Sequence, residues 1–358
     1  MSAEHEPAGL DKILVAFEGQ IAWCRMGGAP FTADILECIR DNLVRGGSLA
    51  PMVVPWHGNL RADALQLRLA GALHFLVRIG RAPGLARFYP PHGREPFDRE
   101  AVAREIETAV TDNLEMVRDT ISRPPQTNEV ARSAVLMPGY AEIARRTGLP
   151  LRTLELGASA GLNMLWDRFA YRYGDHFVGA PDAPLTIGAV WTGAWAGVNA
   201  LPRVSERRGC DRSPIDLAAP YAAERLISYV WPEQAERLAR LEAAISLARK
   251  EKPPIDTEDA GVWLERHLAK PAPRVATVVV HSIVWQYFAK ETAARAKAAI
   301  MAAGERASSD APSAWLSMEQ YALEEPPELR LTLWPGGERQ LLARVHPHGA
   351  TIDWVGPT

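Results

Sequence analysis

Cysteine is scarce, with Cys24, Cys38 and Cys210 the three in 358 residues. An odd number without paired spacing supplies neither a disulfide framework nor a cysteine-based zinc site, and fits a reducing compartment. Long hydrophobic runs are missing too, and none approaches the roughly 18–20 residues needed to span a bilayer. Charge of one sign is missing: 40 basic residues face 43 acidic ones, a net charge of −3. Neither side of residue 150 is polarised, so the broad basic footprint of a nucleic-acid binder is excluded. The opening stretch MSAEHEPAGLDK is acidic and polar, unlike a secretory signal. These absences predict a cytoplasmic protein that works on a small molecule, with no nucleic-acid or membrane partner. What is present is ordinary globular material, 47% apolar and 23% charged, in a chain long enough for a large core without staples.

Two textures divide the chain. Residues 1–149 read as a helical region. Val102, Ile106, Val110, Leu114, Val117 and Ile121 recur at intervals of four and three, an amphipathic stripe that predicts one helix. Residues 10–25, 31–45 and 61–79 give similar patterns, the second stopped by Gly46-Gly47. A further helix is expected from a Thr127 N-cap, past Pro138, to just before Gly148.

Residues 150–358 alternate short strands with helices. Leu151–Leu156 reads as a strand, followed by the small-residue turn 157–161 and a helix through Tyr173. Val275–Val280 is a continuous β-branched run suited to a parallel strand buried on both faces. Helix 290–303 and a strand over Ala314–Met318 follow. ELRLTLW, the turn Pro335–Glu338 and RQLLARV close the pattern as an antiparallel hairpin at the sheet edge. The expected fold class is therefore α/β: a mostly parallel, Rossmann-like sheet with a C-terminal hairpin, preceded by the helical region.

Chemistry concentrates in Leu154-Glu155-Leu156-Gly157-Ala158-Ser159-Ala160-Gly161-Leu162-Asn163. A strand entering a turn of Gly, Ala and Ser brings bare backbone close to a ligand. The stretch resembles the first motif of class I S-adenosylmethionine-dependent methyltransferases, an acid followed by Gly-x-Gly-x-Gly. Glu155, Gly157 and Gly161 match it, and Ser159 replaces the middle glycine. Gly209-Cys210-Asp211 resembles the end of the second methyltransferase strand, where an acid holds the ribose, with Glu206 in reserve. Asp256-Thr257-Glu258-Asp259 resembles the third motif, which would place Asp259 near adenine. Val278-Val279-Val280-His281-Ser282 resembles the fourth, with His281 and Ser282 just past the strand. The resemblance implies S-adenosylmethionine as cofactor, held by Glu155, Gly157, Ser159, Gly161, Asp211, Asp259 and Ser282. It leaves His281 to take the substrate proton as general base.

Two other classes stay open. The same turn satisfies Gly-x-Ser-x-Gly, the nucleophile elbow of α/β-hydrolases, with Ser159 as nucleophile and His346 or His348 as base. The third possibility is a methyltransferase-like fold that has lost turnover. Gln126 and Asn128, beside Thr127, are left without a local explanation, and His346-Pro347-His348 is more simply a turn than a metal site. No metal is expected, and oligomeric state is open. QTNEVAR, LELGASAGLN, GCDRSPID, VVVHSIVWQY and LTLWPGGERQLLARVHPHGA together resemble one uncharacterised bacterial family, a domain of unknown function, over nearly the whole chain.

Overall fold

A computed structural model describes residues 9–60, 63–322 and 324–358. The chain divides into two compact units, one reaching to Thr127 and including Ala219–Ala239, the other comprising Asn128–Ala218 and Arg240–Thr358.

The first unit is helical: α1 (Leu10–Met26), α2 (Pro30–Val44), α3 (Ala50–Val53), α4 (Leu65–Arg78), α5 (Pro83–Ala86), α6 (Arg99–Asp112) and α7 (Leu114–Ser122). Ile13, Phe17, Leu36, Ile39, Leu73, Val102 and Ile106 interdigitate in its core, removing apolar surface from water, the main favourable term in folding. The single helix expected over 102–121 is in fact two. Asn113 leaves helical geometry at φ −129° and folds its amide back onto the carbonyls of Ala109 and Arg81, a local competition typical of Asn.

The second unit begins with α8 (Arg132–Thr147), which ends, as expected, on Gly148 in the left-handed conformation. It starts at Arg132 rather than at Thr127, because the residues before it are drawn elsewhere. Strands β1 (Leu151–Leu156), β2 (Ala170–Tyr173), β3 (His176–Val178), β4 (Thr186–Gly188), β5 (Val190–Gly193) and β6 (Val204–Asp211) follow. After α9 (Ala222–Ser228), which lies in the first unit, and α10 (Ala235–Glu251) come β7 (Ile255–Thr257), α11 (Ala260–His267), β8 (Ala276–Ser282), α12 (Lys290–Glu305), β9 (Ser313–Glu319), β10 (Glu328–Trp334), β11 (Arg339–Val345) and β12 (Thr351–Trp354).

Among the described residues the strands form a nine-stranded sheet, β5-β12-β11-β10-β9-β8-β1-β6-β7, and a three-stranded sheet, β3-β2-β4. From β7 to β9 all neighbours are parallel. Taken in chain order, these five strands run 3-2-1-4-5, the arrangement of an open doubly wound sheet, whose order reverses between β1 and β8. The hairpin β10–β11 is antiparallel, as expected. It is not the sheet edge, however, because β12 and β5 extend the sheet beyond it.

One further expectation is corrected. The segment after the turn is not a helix through Tyr173. It is a 3₁₀ helix, Asn163–Arg168, followed by β2. Trp166 stacks on Tyr140 of α8 with ring centroids 4.2 Å apart. The Tyr171 hydroxyl bonds the Trp166 carbonyl, and the Tyr173 hydroxyl that of Ala134. This aromatic packing favours an extended chain over a helix. The polar run VSERR nonetheless forms most of β6, because its charges are paired: Arg207 forks onto Asp167 at 2.6 and 2.8 Å, and Arg208 onto Asp256 at 2.7 and 2.8 Å.

Candidate functional site at the carboxyl ends of β1, β6 and β8

Register fixes the site. Leu156, the last residue of β1, faces Cys210 of β6, and Glu155 faces both Gly209 of β6 and Val280 of β8. The turn 157–161, Asp211 and His281 therefore share one sheet edge, beside the point where strand order reverses, where open α/β sheets bind their ligands.

The turn is tied down from two sides. Gly157, Ser159 and Gly161 take φ of 67°, 55° and 74°, so the chain turns sharply and glycine suits two of the three positions. Space demands glycine as well, since a Cβ on residue 157 would run into Val284 and one on residue 161 would lie 2.7 Å from Pro253. Asp211 accepts the Ser159 N–H at 2.9 Å and the Ser213 N–H at 2.8 Å, one on each carboxylate oxygen. Asn128 accepts the N–H groups of Ala160 at 3.3 Å and Leu162 at 3.2 Å. Gly161 donates to the Ala158 carbonyl and Ala158 to that of Cys210. This explains Asn128, which adopts φ 34° to reach the turn instead of opening a helix.

Glu155 lies buried beneath this turn, 6% exposed. Burial, reinforced by the neighbouring Asp211, pushes its carboxyl from 4.5 up to about 8, because the charged form is desolvated next to a like charge. The edge therefore presents a carboxyl that is largely protonated near neutrality beside a carboxylate.

His281 is 2% exposed and both its ring nitrogens are engaged. Nε2 accepts the Trp315 indole N–H at 2.9 Å, so Nδ1 carries the proton and donates to Glu319 at 2.7 Å. The same Glu319 oxygen accepts the N–H groups of Val284 and Trp285 at 3.0 and 3.2 Å. His281 therefore does not stand free as a base. With Glu319 it fastens the segment after β8 whose Val284 packs against Gly157. The expectation for Asp259 is displaced in a similar way: its carboxylate caps α11 through Gly261 and Val262 and also takes the Thr292 hydroxyl. Ser282 offers its carbonyl to Arg132. Glu206, the reserve ribose ligand, is occupied by Arg152.

Sequence reasoning missed Glu319. Its signal was a lone acid ending the apolar strand next to the one that carries His281. Among the described residues no histidine bonds the Ser159 hydroxyl, which is buried and unpartnered. His346 accepts the His348 N–H within its own turn. Among the described residues, no three His, Cys, Asp or Glu side chains gather as a metal site, and no helix is long and apolar enough to cross a membrane.

The fold and this edge define an α/β protein with an acid-lined, side-chain-braced turn at the switch point of a mostly parallel sheet. The chain belongs to the family described as uncharacterized proteins conserved in bacteria (DUF2332), which matches residues 15–354. No curated protein and no solved structure matches it.

Proposed function

We propose that the α/β unit binds S-adenosylmethionine at the edge formed by β1, β6 and β8, and that the protein is a methyltransferase for a small acceptor. One observation carries this reading: the turn's N–H groups are already bonded within the protein, while carboxyl groups line the edge. Ser159, Ala160 and Leu162 donate to Asp211 and Asn128. A phosphate-bearing dinucleotide or nucleotide needs such groups free and repels carboxylates. S-adenosylmethionine has no phosphate. It carries cationic sulfonium and ammonium groups and a ribose diol, which suit Glu155 and Asp211. Each Asp211 oxygen accepts one N–H and retains a lone pair for a ribose hydroxyl.

When bound, the cofactor supplies an activated methyl group, whose transfer needs chiefly an aligned nucleophile. This chain's residues would hold and orient. Asp211 and Asn128 fix the turn, Glu155 meets the cationic end, and His281 with Glu319 positions the segment 283–285. Proton removal is assigned to none of them, and His281 becomes a positioning residue.

Calorimetry with S-adenosylmethionine and S-adenosylhomocysteine tests the reading. A ligand at about 100 times its dissociation constant stabilises by roughly 2.7 kcal/mol, and Asp211→Ala should abolish most of this. No binding at millimolar cofactor would refute the proposal and favour a fold without turnover. The hydrolase reading keeps one supporting feature, Ser159 at φ 55° after a strand, but among the described residues no base bonds Oγ, as a seryl nucleophile requires.

A further inference from the structure

A pocket lies at the opposite, amino-terminal edge of the nine-stranded sheet. Arg152, Thr277 and Ser313, from the first residues of β1, β8 and β9, line it together with Leu268, Lys270 and Arg306. Three cations contribute to its wall and no carboxylate does. Arg152 is paired with Glu206, whereas Arg306 donates to the Leu268 carbonyl and Lys270 pairs with no acid among the described residues. Arg207 and Arg208 of β6, by contrast, are each forked onto a carboxylate. The second observation is independent: Ser313 is 5% exposed, and its hydroxyl has no hydrogen-bond partner. A buried hydroxyl left unpaired is costly.

We propose that this pocket is an oxyanion site of the phosphate class. The Ser313 hydroxyl donates to one inserted oxygen, and Lys270 and Arg306 meet the charge at the mouth. Size agrees with this assignment. The cavity holds about 20 Å³, and an oxygen-sized occupant needs about 10–15 Å³. One oxygen enters, and the rest of the anion stays outside. A free phosphate ion and the phosphoryl group of a larger molecule share this chemistry. The inference is independent of the proposed cofactor site, which selects against phosphate at the other edge of the sheet.

Titration calorimetry on the full chain at constant ionic strength tests it, using inorganic phosphate and glycerol phosphate as probes. Saturable binding of either supports the site, the ester alone pointing to a phosphorylated ligand and the inorganic ion to free phosphate. Lys270→Met removes a charge-assisted contact from an exposed residue, so it should fold normally and weaken binding about ten-fold or more. Ser313→Ala should also weaken it, although less. Absence of binding by both probes at millimolar concentration would overturn the proposal. So would binding unchanged in both Lys270→Met and Arg306→Met, because the anion would then sit elsewhere.

Discussion

Glu155→Gln replaces a buried carboxyl with a neutral group of the same shape, and its effect should depend steeply on pH. The wild-type carboxyl titrates near 8 when folded, against an ordinary 4.5. The folded state therefore holds a proton that the unfolded chain gives up between those values. Stability is complete below pH 4.5, falls as pH rises, and levels off above pH 8. At about 1.36 kcal/mol per pH unit, the loss reaches roughly 3 kcal/mol by pH 7 and about 5 kcal/mol at the plateau. Glu155→Gln has no such proton to lose, and its stability should not follow this fall. Thermal denaturation of both proteins from pH 5 to pH 9 makes the comparison, since all other titrating groups cancel in the difference. Between pH 5 and pH 7 the difference is about 2.5 kcal/mol, so at about 2–4 °C per kcal/mol the midpoints should diverge by roughly 5–10 °C in favour of the variant. Two compact units need not melt together, so hydrogen exchange at the β1 and β8 amides should assign the pH-dependent transition to the α/β unit. Parallel pH profiles for wild type and variant would refute the reasoning and mean that the Glu155 carboxyl is solvated or paired.

Asn128→Ala frees the Ala160 and Leu162 N–H groups and should cost about 1–3 kcal/mol, whereas Asn128→Asp keeps the acceptor and should restore most of it in a urea titration. Ser159→Gly relieves a left-handed residue worth about 1–2 kcal/mol and should raise the melting temperature while preserving cofactor binding; a lowered midpoint would show that the hydroxyl has a partner. A fluorophosphonate probe should leave Ser159 unlabelled, and stoichiometric labelling lost in Ser159→Ala would make the protein an esterase. Glu319→Gln removes the charge from three hydrogen bonds and should accelerate amide exchange at Val284 and Trp285, with unchanged protection there counting against the role given to His281.

Much of the second unit was legible. The β-branched run in β8, the apolar alternation of β10 and the Gly148 stop each follow from local chemistry, and the structure has them. What was illegible came from partners distant in sequence. The charges of VSERR argue against a strand until Asp167 and Asp256 are beside them. Asn163–Tyr173 has helical spacing until Tyr140 and the Ala134 carbonyl claim its aromatics. The turn 157–161 and His281 could be placed on one edge from sequence, but the engagement of His281 could not. That depended on Trp315 and Glu319, which lie 34 and 38 residues downstream on a strand whose pairing the local pattern does not specify.

The way those distant partners act narrows the chemistry of the edge. Asp211, Asn128 and Glu319 each turn a side-chain oxygen onto backbone N–H groups in the loops that follow β1, β6 and β8. Buried N–H groups have to be paired, and in phosphate-binding α/β proteins the ligand contributes to pairing those at the first turn. Here the protein pairs them itself. The loops are consequently held in place without a ligand, and whatever binds meets carboxyl groups rather than free N–H donors. An anion approaching this edge would find Asp211 as a like charge and would force Glu155 to stay protonated. A cation would instead favour the ionised form of Glu155. Its binding should therefore release a proton below pH 8 and strengthen as pH rises from 6 to 8. Glu155→Gln should remove that dependence, and a cofactor affinity equally flat in the wild type would mean that the cationic end lies elsewhere.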